Sequence, residues 1–133
     1  MDTPYGILTK KAYEAREKAY SPYSSFKVGA AIMCADGSIY TGCNIENASY
    51  GATLCAERVA IGKAISDGEK DFLAIAIVGS GNDYCYPCGI CRQVMSEFCK
   101  GDFKVILPLD NKETKEMSLK ELLPYSFTDE NMK

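Results

Sequence analysis

The run Phe72-Leu73-Ala74-Ile75-Ala76-Ile77-Val78 is the strongest constraint on how this chain can fold. It is almost uninterrupted in apolar residues, rich in Ile and short, so it reads as a strand covered on both faces at the centre of a sheet. Such a strand needs helices above and below it. Thr53 to Ser66 is predicted to be one, closed by Asp67-Gly68. A second runs from Cys88 to about Cys99 and stops at Gly101, and a third, Thr9 to Tyr20, carries Ala12, Ala15, Arg16, Ala19 and Tyr20 at helical spacing before Pro22. Lys27 to Cys34 and Ser38 to Thr41 form a hairpin around Asp36-Gly37. Phe103 to Leu109 is another buried strand, Asp110 to Lys115 a charged turn, and Ser118-Leu119-Lys120-Glu121 has capping-box spacing ahead of a short helix that Pro124 ends. This order predicts an α/β chain, a three-layer α/β/α sandwich with a mixed sheet, folded as a single domain over residues 1–133. Right-handed crossovers beside the central strand bring the N-termini of the Thr53 to Ser66 helix and the Cys88 to Cys99 helix to one sheet edge.

At that edge the sequence concentrates sulfur. Tyr86-Pro87-Cys88-Gly89-Ile90-Cys91-Arg92-Gln93 is a Cys-x-x-Cys turn opening a helix; alone it fits a redox dithiol, a structural zinc corner or half of a catalytic site. Upstream, Cys55-Ala56-Glu57-Arg58 places a possible thiolate ligand two residues before a carboxylate, again where a helix starts. Together they describe an open metal site. Cys55, Cys88 and Cys91 hold zinc, water takes the fourth tetrahedral position, and Glu57 moves protons. Three thiolates blunt the Lewis acidity of a dication, so something positive must offset them. Helix N-termini under Cys55 and Cys88 supply part, and Arg58 or Arg92 can donate hydrogen bonds to the sulfurs. Cys85, three residues before Cys88, is the competing element: a fourth sulfur would seal the zinc into a noncatalytic, metal-stabilised interaction module. Asn44 and Glu46, at spacing two, point the same way if extended and can bind vicinal hydroxyls such as those of a ribose; the alternative is an Asx-turn and a solvated acid.

Composition narrows the chemistry. The chain has no histidine, which removes Ser-His-Asp and Cys-His catalysis and leaves carboxylate, Lys, Tyr or Cys as general base. Its 133 residues, 47% of them hydrophobic, are enough to bury a core without disulfide staples. A net charge of -3 argues against a surface built to neutralise a polynucleotide, so a small or uncharged substrate is expected. Seven cysteines, an odd number, and the lack of a signal-type apolar run in Met1 to Lys10 lead to an expectation of reduced thiols in a cytoplasmic protein that neither enters nor spans a membrane.

Cys-Ala-Glu-Arg followed by Pro-Cys-Gly-x-Cys-Arg-Gln is a specific pair, and with it the chain resembles the small, homotetrameric zinc-dependent cytidine deaminases along nearly its whole length. Matching stretches include Tyr23 to Ala31, Gly42 to Gly51, and Leu122-Leu123-Pro124 with Phe127. The resemblance implies a cytidine deaminase-like fold and hydrolytic deamination of cytidine, and of 2'-deoxycytidine, in pyrimidine salvage. By the same resemblance Cys55, Cys88 and Cys91 are the ligands of one Zn2+ per subunit, and Glu57 is the proton shuttle to N3 and the leaving amine. Asn44 and Glu46 match the family's ribose-binding pair, Phe26 an aromatic beside the base, and the Ala56 backbone a contact to the base's polar edge. Phe127 stacks from another subunit, which makes a homotetramer with shared active sites. Blasticidin deaminases share the metal motifs and size, although Asn44-Ile45-Glu46 with Phe127 is more similar to the cytidine enzymes. A polynucleotide-editing deaminase fits the acidic balance poorly, and a thioredoxin-like reading leaves Cys55 without a task.

Overall fold

The computed structural model describes residues 5–132, so the N-terminal end of the predicted domain lies outside the described residues. In chain order the elements are helix α1 (Gly6–Arg16), strands β1 (Val28–Cys34) and β2 (Ile39–Cys43), helix α2 (Ala56–Ser66), strand β3 (Phe72–Gly79), helix α3 (Gly89–Phe98), strands β4 (Lys104–Leu107) and β5 (Lys115–Ser118), and a one-turn helix α4 (Leu119–Leu122). Short 3₁₀ turns occupy Tyr50–Ala52 and Asp129–Met132.

The sheet order is β2-β1-β3-β4-β5. β1 lies antiparallel to both β2 and β3, β3 and β4 are parallel, and β5 returns antiparallel to β4. The sheet is therefore mixed, as its sequence order implied. β2 and β3 flank β1 in the same direction, so β2-α2-β3 and β3-α3-β4 are both crossover units, and both step the same way across the sheet. One hand of crossover then forces α2 and α3 onto the same face, each starting at the carboxyl end of a strand.

The core confirms those two faces. Ala30, Ile32, Ile75, Ile77, Val105 and Leu107 pack against Ala56, Ala60, Ile61 and Ala64 of α2 and Cys91 and Met95 of α3. On the opposite face Leu8 and Ala12 of α1 meet Ala31, Ala74, Ala76, Val78 and Ile106. Ile75 and Ile77 are fully buried, and truncating such a residue to Ala costs about 2–5 kcal/mol. α1 lies unusually close to the sheet because Gly29 has no side chain: a Cβ there would sit 2.1 Å from the Ala12 carbonyl oxygen.

Three departures from the sequence expectation have physical causes. α1 begins at Gly6 and ends at Arg16 rather than running from Thr9 to Tyr20. Leu8 draws the start earlier by burial, while Tyr20 is pulled out of helix by pairing with the segment after β2, its N–H donating to Asn44 O at 3.0 Å and its carbonyl accepting from Glu46 N at 2.9 Å. The predicted turn Asp110 to Lys115 leads into β5, an edge strand that β4 holds by backbone pairing and that has little apolar pattern to announce it. The tail ends in the unanticipated turn Asp129–Met132. The predicted capping box at α4 is present: the Ser118 hydroxyl accepts from Glu121 N at 3.2 Å, and Ser118 N donates to the Glu121 carboxylate at 2.9 Å.

Candidate active site and metal centre

Cys55 and Cys88 occupy the same structural position in two different helices. Each is the N-cap residue, in extended backbone and with no side-chain cap bond of its own, so a thiolate there faces the positive end of a helix. Cys91 lies in the first turn of α3 and is fully buried. The crossover geometry brings these N-termini together across 33 residues of sequence.

The three sulfurs lie within 4.8 Å of one another, Cys55 to Cys88 at 3.8 Å and Cys88 to Cys91 at 3.4 Å. Sulfurs bound at about 2.3 Å around a tetrahedral zinc are separated by about 3.8 Å, so Cys55 and Cys88 already stand at that spacing and Cys88 and Cys91 reach it with a shift of a few tenths of an ångström. Cys85 is not part of the group. Its Sγ lies outside the set of ligand atoms that approach within 4.8 Å of one another, and burial, reinforced by Glu57 and Cys55, pushes its thiol up to about 12. The sealed four-cysteine site is therefore not what the fold builds.

Charge in the corner is unequally shared. Hydrogen bonding from Cys91, then from Arg58 and Cys88, holds Cys55 down at about 5 against the opposing effect of burial. Cys91, donating toward Cys55 and desolvated, is raised. Arg58 Nη2 sits 3.4 Å from Cys55 Sγ and 3.3 Å from Thr53 O, which makes it the guanidinium facing the sulfurs. Arg92, the other candidate, is directed elsewhere: its Nε donates to Pro87 O and its Nη1 to Leu122 O, both at 2.8 Å. Its fork is committed to backbone, so it does not compensate a thiolate directly.

Glu57, one residue inside α2, is only 4% exposed. Burial raises its pKa, with the Cys55 charge adding to the effect and its own backbone N–H, Cys91 and Arg58 opposing it. A carboxyl so placed can hold or release a proton in a range nearer neutrality than an ordinary glutamate. Ala56, beside it, is fully buried in the first turn of the same helix.

Three of the remaining predicted residues, Phe26, Asn44 and Glu46, form a second group centred on the segment 20–28, and Phe127 is placed apart from them. The Asn44 side chain spans that segment: its Oδ1 accepts from Val28 N at 2.9 Å and its Nδ2 donates to Phe26 O at 2.8 Å. This is neither an Asx-turn nor a solvated amide. Glu46 accepts from Tyr23 N at 2.9 Å, Ser24 N at 3.1 Å and the Ser24 hydroxyl, which hold its carboxyl below the usual range. Both side chains thus brace the loop that carries Phe26. The Phe26 ring lies over Gly79 and Gly81 at the end of β3, where a Cβ on Gly79 would come within 2.7 Å of Phe26 Cζ. Phe127 is 59% exposed, and its carbonyl accepts from Gln93 Nε2 at 2.8 Å.

The two glycines that seat Phe26 escaped the sequence reading, although Gly79-Ser80-Gly81 after a buried strand was a signal for close approach. So did Lys115. Its Nζ donates to Tyr86 OH at 2.6 Å and lies 5.6 Å and 5.1 Å from the ring centres of Tyr84 and Tyr86, pinning the loop ahead of Pro87 to β5. Nothing in the charged turn marked that contact.

Three sulfurs at zinc spacing, set on two helix N-termini with a buried carboxyl group alongside, define a zinc centre of hydrolytic type. Residues 5–107 match the family described as the cytidine and deoxycytidylate deaminase zinc-binding region. A protein named cytidine deaminase from Halalkalibacterium halodurans is 52% identical over 126 residues, covering 95% of this chain and 96% of that protein. The crystal structure of cytidine deaminase from Burkholderia pseudomallei superposes with a TM-score of 0.89 at 46% identity, covering 94% of this chain and all of that one. That from Mycobacterium tuberculosis gives 0.81 at 39% identity, over 95% and 98% of the two chains. The chain belongs to the cytidine and deoxycytidylate deaminase family, and the metal its corner takes is zinc.

Proposed function

We infer that this chain is a zinc-dependent cytidine deaminase that hydrolyses cytidine, and 2'-deoxycytidine, to the corresponding uridine and ammonia in pyrimidine salvage. The observation that carries this reading is the buried Glu57 carboxyl beside the sulfur corner of Cys55, Cys88 and Cys91, within a chain 52% identical to a named cytidine deaminase. When bound by those three residues, zinc supplies a Lewis acid that makes water nucleophilic near neutral pH. Arg58 and the N-termini of α2 and α3 offset the thiolate charge that would otherwise weaken it.

Glu57 does the proton work. It accepts a proton from the attacking water and passes it to N3 of the base as the C4–O bond forms. It then takes the second water proton from the new C4 hydroxyl and delivers it to the amine, so that C4=O forms as the C4–N bond breaks and ammonia leaves. Its burial suits this cycle, because a carboxyl raised toward neutrality is a competent acid as well as a competent base. The Ala56 backbone borders the polar edge of the base and Phe26 flanks its plane. Asn44 and Glu46 bind the sugar hydroxyls with the capacity their loop-bracing bonds leave over: an amide has two donor hydrogens and a carboxylate about four acceptor sites. One donor of Asn44 and three acceptances by Glu46 are committed within the chain.

The chain works as a single domain, in the cytoplasm, and as a homotetramer in which Phe127 of one subunit stacks in the site of another. Exposure of Phe127, Tyr50, Ile45 and Leu54 supports that assembly, since apolar side chains of this size gain by being covered. Among the described residues no helix is long and apolar enough to cross a membrane. An ultraviolet assay of cytidine turnover, run with and without a chelator, tests substrate, reaction and metal together. Loss of absorbance change on chelation and its return with added zinc are expected; turnover untouched by removal of the metal refutes the reading.

A further inference from the structure

Two adjacent residues of α3, Arg92 and Gln93, follow the metal residue Cys91 and reach in two directions. Arg92 joins three elements through one guanidinium. Its Nε holds the carbonyl of Pro87, the residue immediately before Cys88, and its Nη1 holds the carbonyl of Leu122, the last residue of α4, both at 2.8 Å. Pro87 is itself fully buried, and the Arg92 backbone N–H closes the first turn of α3 on Cys88 O at 3.0 Å. The peptide that aims the Cys88 thiolate is therefore fixed on both sides by the same residue. Gln93, one position on, donates through Nε2 to Phe127 O at 2.8 Å.

The chain between these two anchors is not relaxed. Tyr125 lies in left-handed backbone at φ 55, a conformation costly for a bulky L residue that persists only where surrounding contacts impose it. Its side chain is fully exposed and supplies no packing to do so. The restraint comes from either end: the Leu122 carbonyl held by Arg92 before the turn, and the Phe127 carbonyl held by Gln93 after it.

We propose that Arg92 and Gln93 are positioning residues that tie the metal corner to the C-terminal tail, Arg92 setting the direction of the Cys88 thiolate and Gln93 the placement of Phe127. Among the described residues the side-chain hydrogen bonds of both go to backbone carbonyls and not to a sulfur. A planar fork can satisfy two carbonyls at fixed angles, which a lysine ammonium cannot do equally well, so the Arg92 role depends on guanidinium geometry rather than charge. The Gln93 role rests on the proposed assignment of Phe127 to the nucleoside site; the Arg92 role rests only on the zinc corner.

The test uses the zinc-loaded full chain and two separate readouts: zinc affinity by competition with a chromophoric chelator, and KM and kcat for cytidine. Arg92→Ala is expected to weaken zinc by roughly 10- to 100-fold, the usual effect of losing a group that orients a ligand, with Arg92→Lys falling between it and the parent. Gln93→Ala is expected to raise KM several-fold while zinc affinity stays within about two-fold, and to add nothing further in a Phe127→Ala background, as for residues acting through one another. Zinc affinity unchanged in Arg92→Lys, and in Arg92→Ala if that variant folds, overturns the Arg92 assignment. Equal loss of zinc affinity in the Gln93 variant, or full additivity with Phe127→Ala, overturns the other. If the parent protein binds zinc but does not turn over cytidine, the functional reading fails while the chelator competition still decides the role of Arg92.

Discussion

A group of one or more cysteines with acidic neighbours lies at each end of the sheet, and the contrast between the two shows what turns such a group into a site. Cys55, Cys88 and Cys91 with Glu57 sit at the carboxyl ends of the parallel strands. Cys34, Asp36 and Glu69 also lie within 4.8 Å of one another, but at the other end, where Cys34 pairs with Phe72 at the start of β3. In the first group the carboxyl is buried, two cysteines occupy helix N-cap positions, and Arg58 faces a sulfur. In the second, Asp36 caps its own hairpin by accepting from Ser38 N at 3.0 Å and the Ser38 hydroxyl at 2.6 Å, which holds its pKa low. Glu69 is raised first by its neighbour Asp36 and then by partial desolvation, and burial keeps the Cys34 thiol protonated. Proximity of ligand atoms is common to both. Helix N-termini, a guanidinium and a desolvated proton carrier belong to one.

That contrast can be broken at four points. The largest effect is expected for Cys91→Ser, which leaves only two sulfurs: zinc content by elemental analysis should fall below one per chain, and turnover with it. Retention of stoichiometric, chelator-resistant zinc would mean that the two ends are not so different. Glu57→Gln should keep the metal yet lower kcat by roughly 10²- to 10⁴-fold, the range for a positioned acid-base group. The same variant tests the burial argument. A carboxyl whose folded pKa is raised supports the fold below its unfolded pKa and ceases to do so as pH rises through the folded value. Thermal melts of zinc-stripped protein should therefore show Glu57→Gln gaining on the parent as pH climbs above the ordinary carboxylate range. Parallel pH curves would place Glu57 in water after all.

Smaller effects sharpen the picture. Arg58→Ala should weaken zinc by about 10- to 100-fold in chelator competition, because Cys55 loses its cationic donor while the helix N-termini remain. Least of all is expected from Asp36→Asn combined with Glu69→Gln, with stability within about 0.5 kcal/mol of the parent and zinc stoichiometry unchanged, as for exposed surface groups. A loss of metal there would show that the far cluster had been misjudged.

Much of this was legible in the sequence, for a physical reason. Phe72 to Val78 announced a doubly covered strand because apolar continuity at that length has few other solutions, and the same strand is β3, extended by Gly79. The three cysteines that the fold gathers were legible because zinc chemistry dictates the type and local spacing of candidate ligands, and helix starts are written in short-range signals. Other features carried no local mark. β5 is held by pairing with β4 rather than by an apolar face, and the end of α1 was set by Tyr20 bridging to Ile45, a contact distant in sequence. Cys-Ala-Glu-Arg and Cys-Arg-Gln both place a guanidinium one to three residues from a sulfur; Arg58 is the one expected to offset the thiolates, and it is the one whose fork reaches Cys55.

The sequence alone determined the class of chemistry: sulfur in place of imidazole, one acid beside it, and strand and helix signals that lead two helix N-termini to one edge. Only the tertiary structure decided how the charges are shared, because that depends on distances across 33 residues of chain. It set Cys55, Cys88 and Cys91 within 4.8 Å, turned Arg58 toward Cys55 and Arg92 toward two carbonyls, and buried Glu57 in the first turn of α2. Residue type and spacing are local properties, whereas desolvation and Coulomb energy belong to the packed whole.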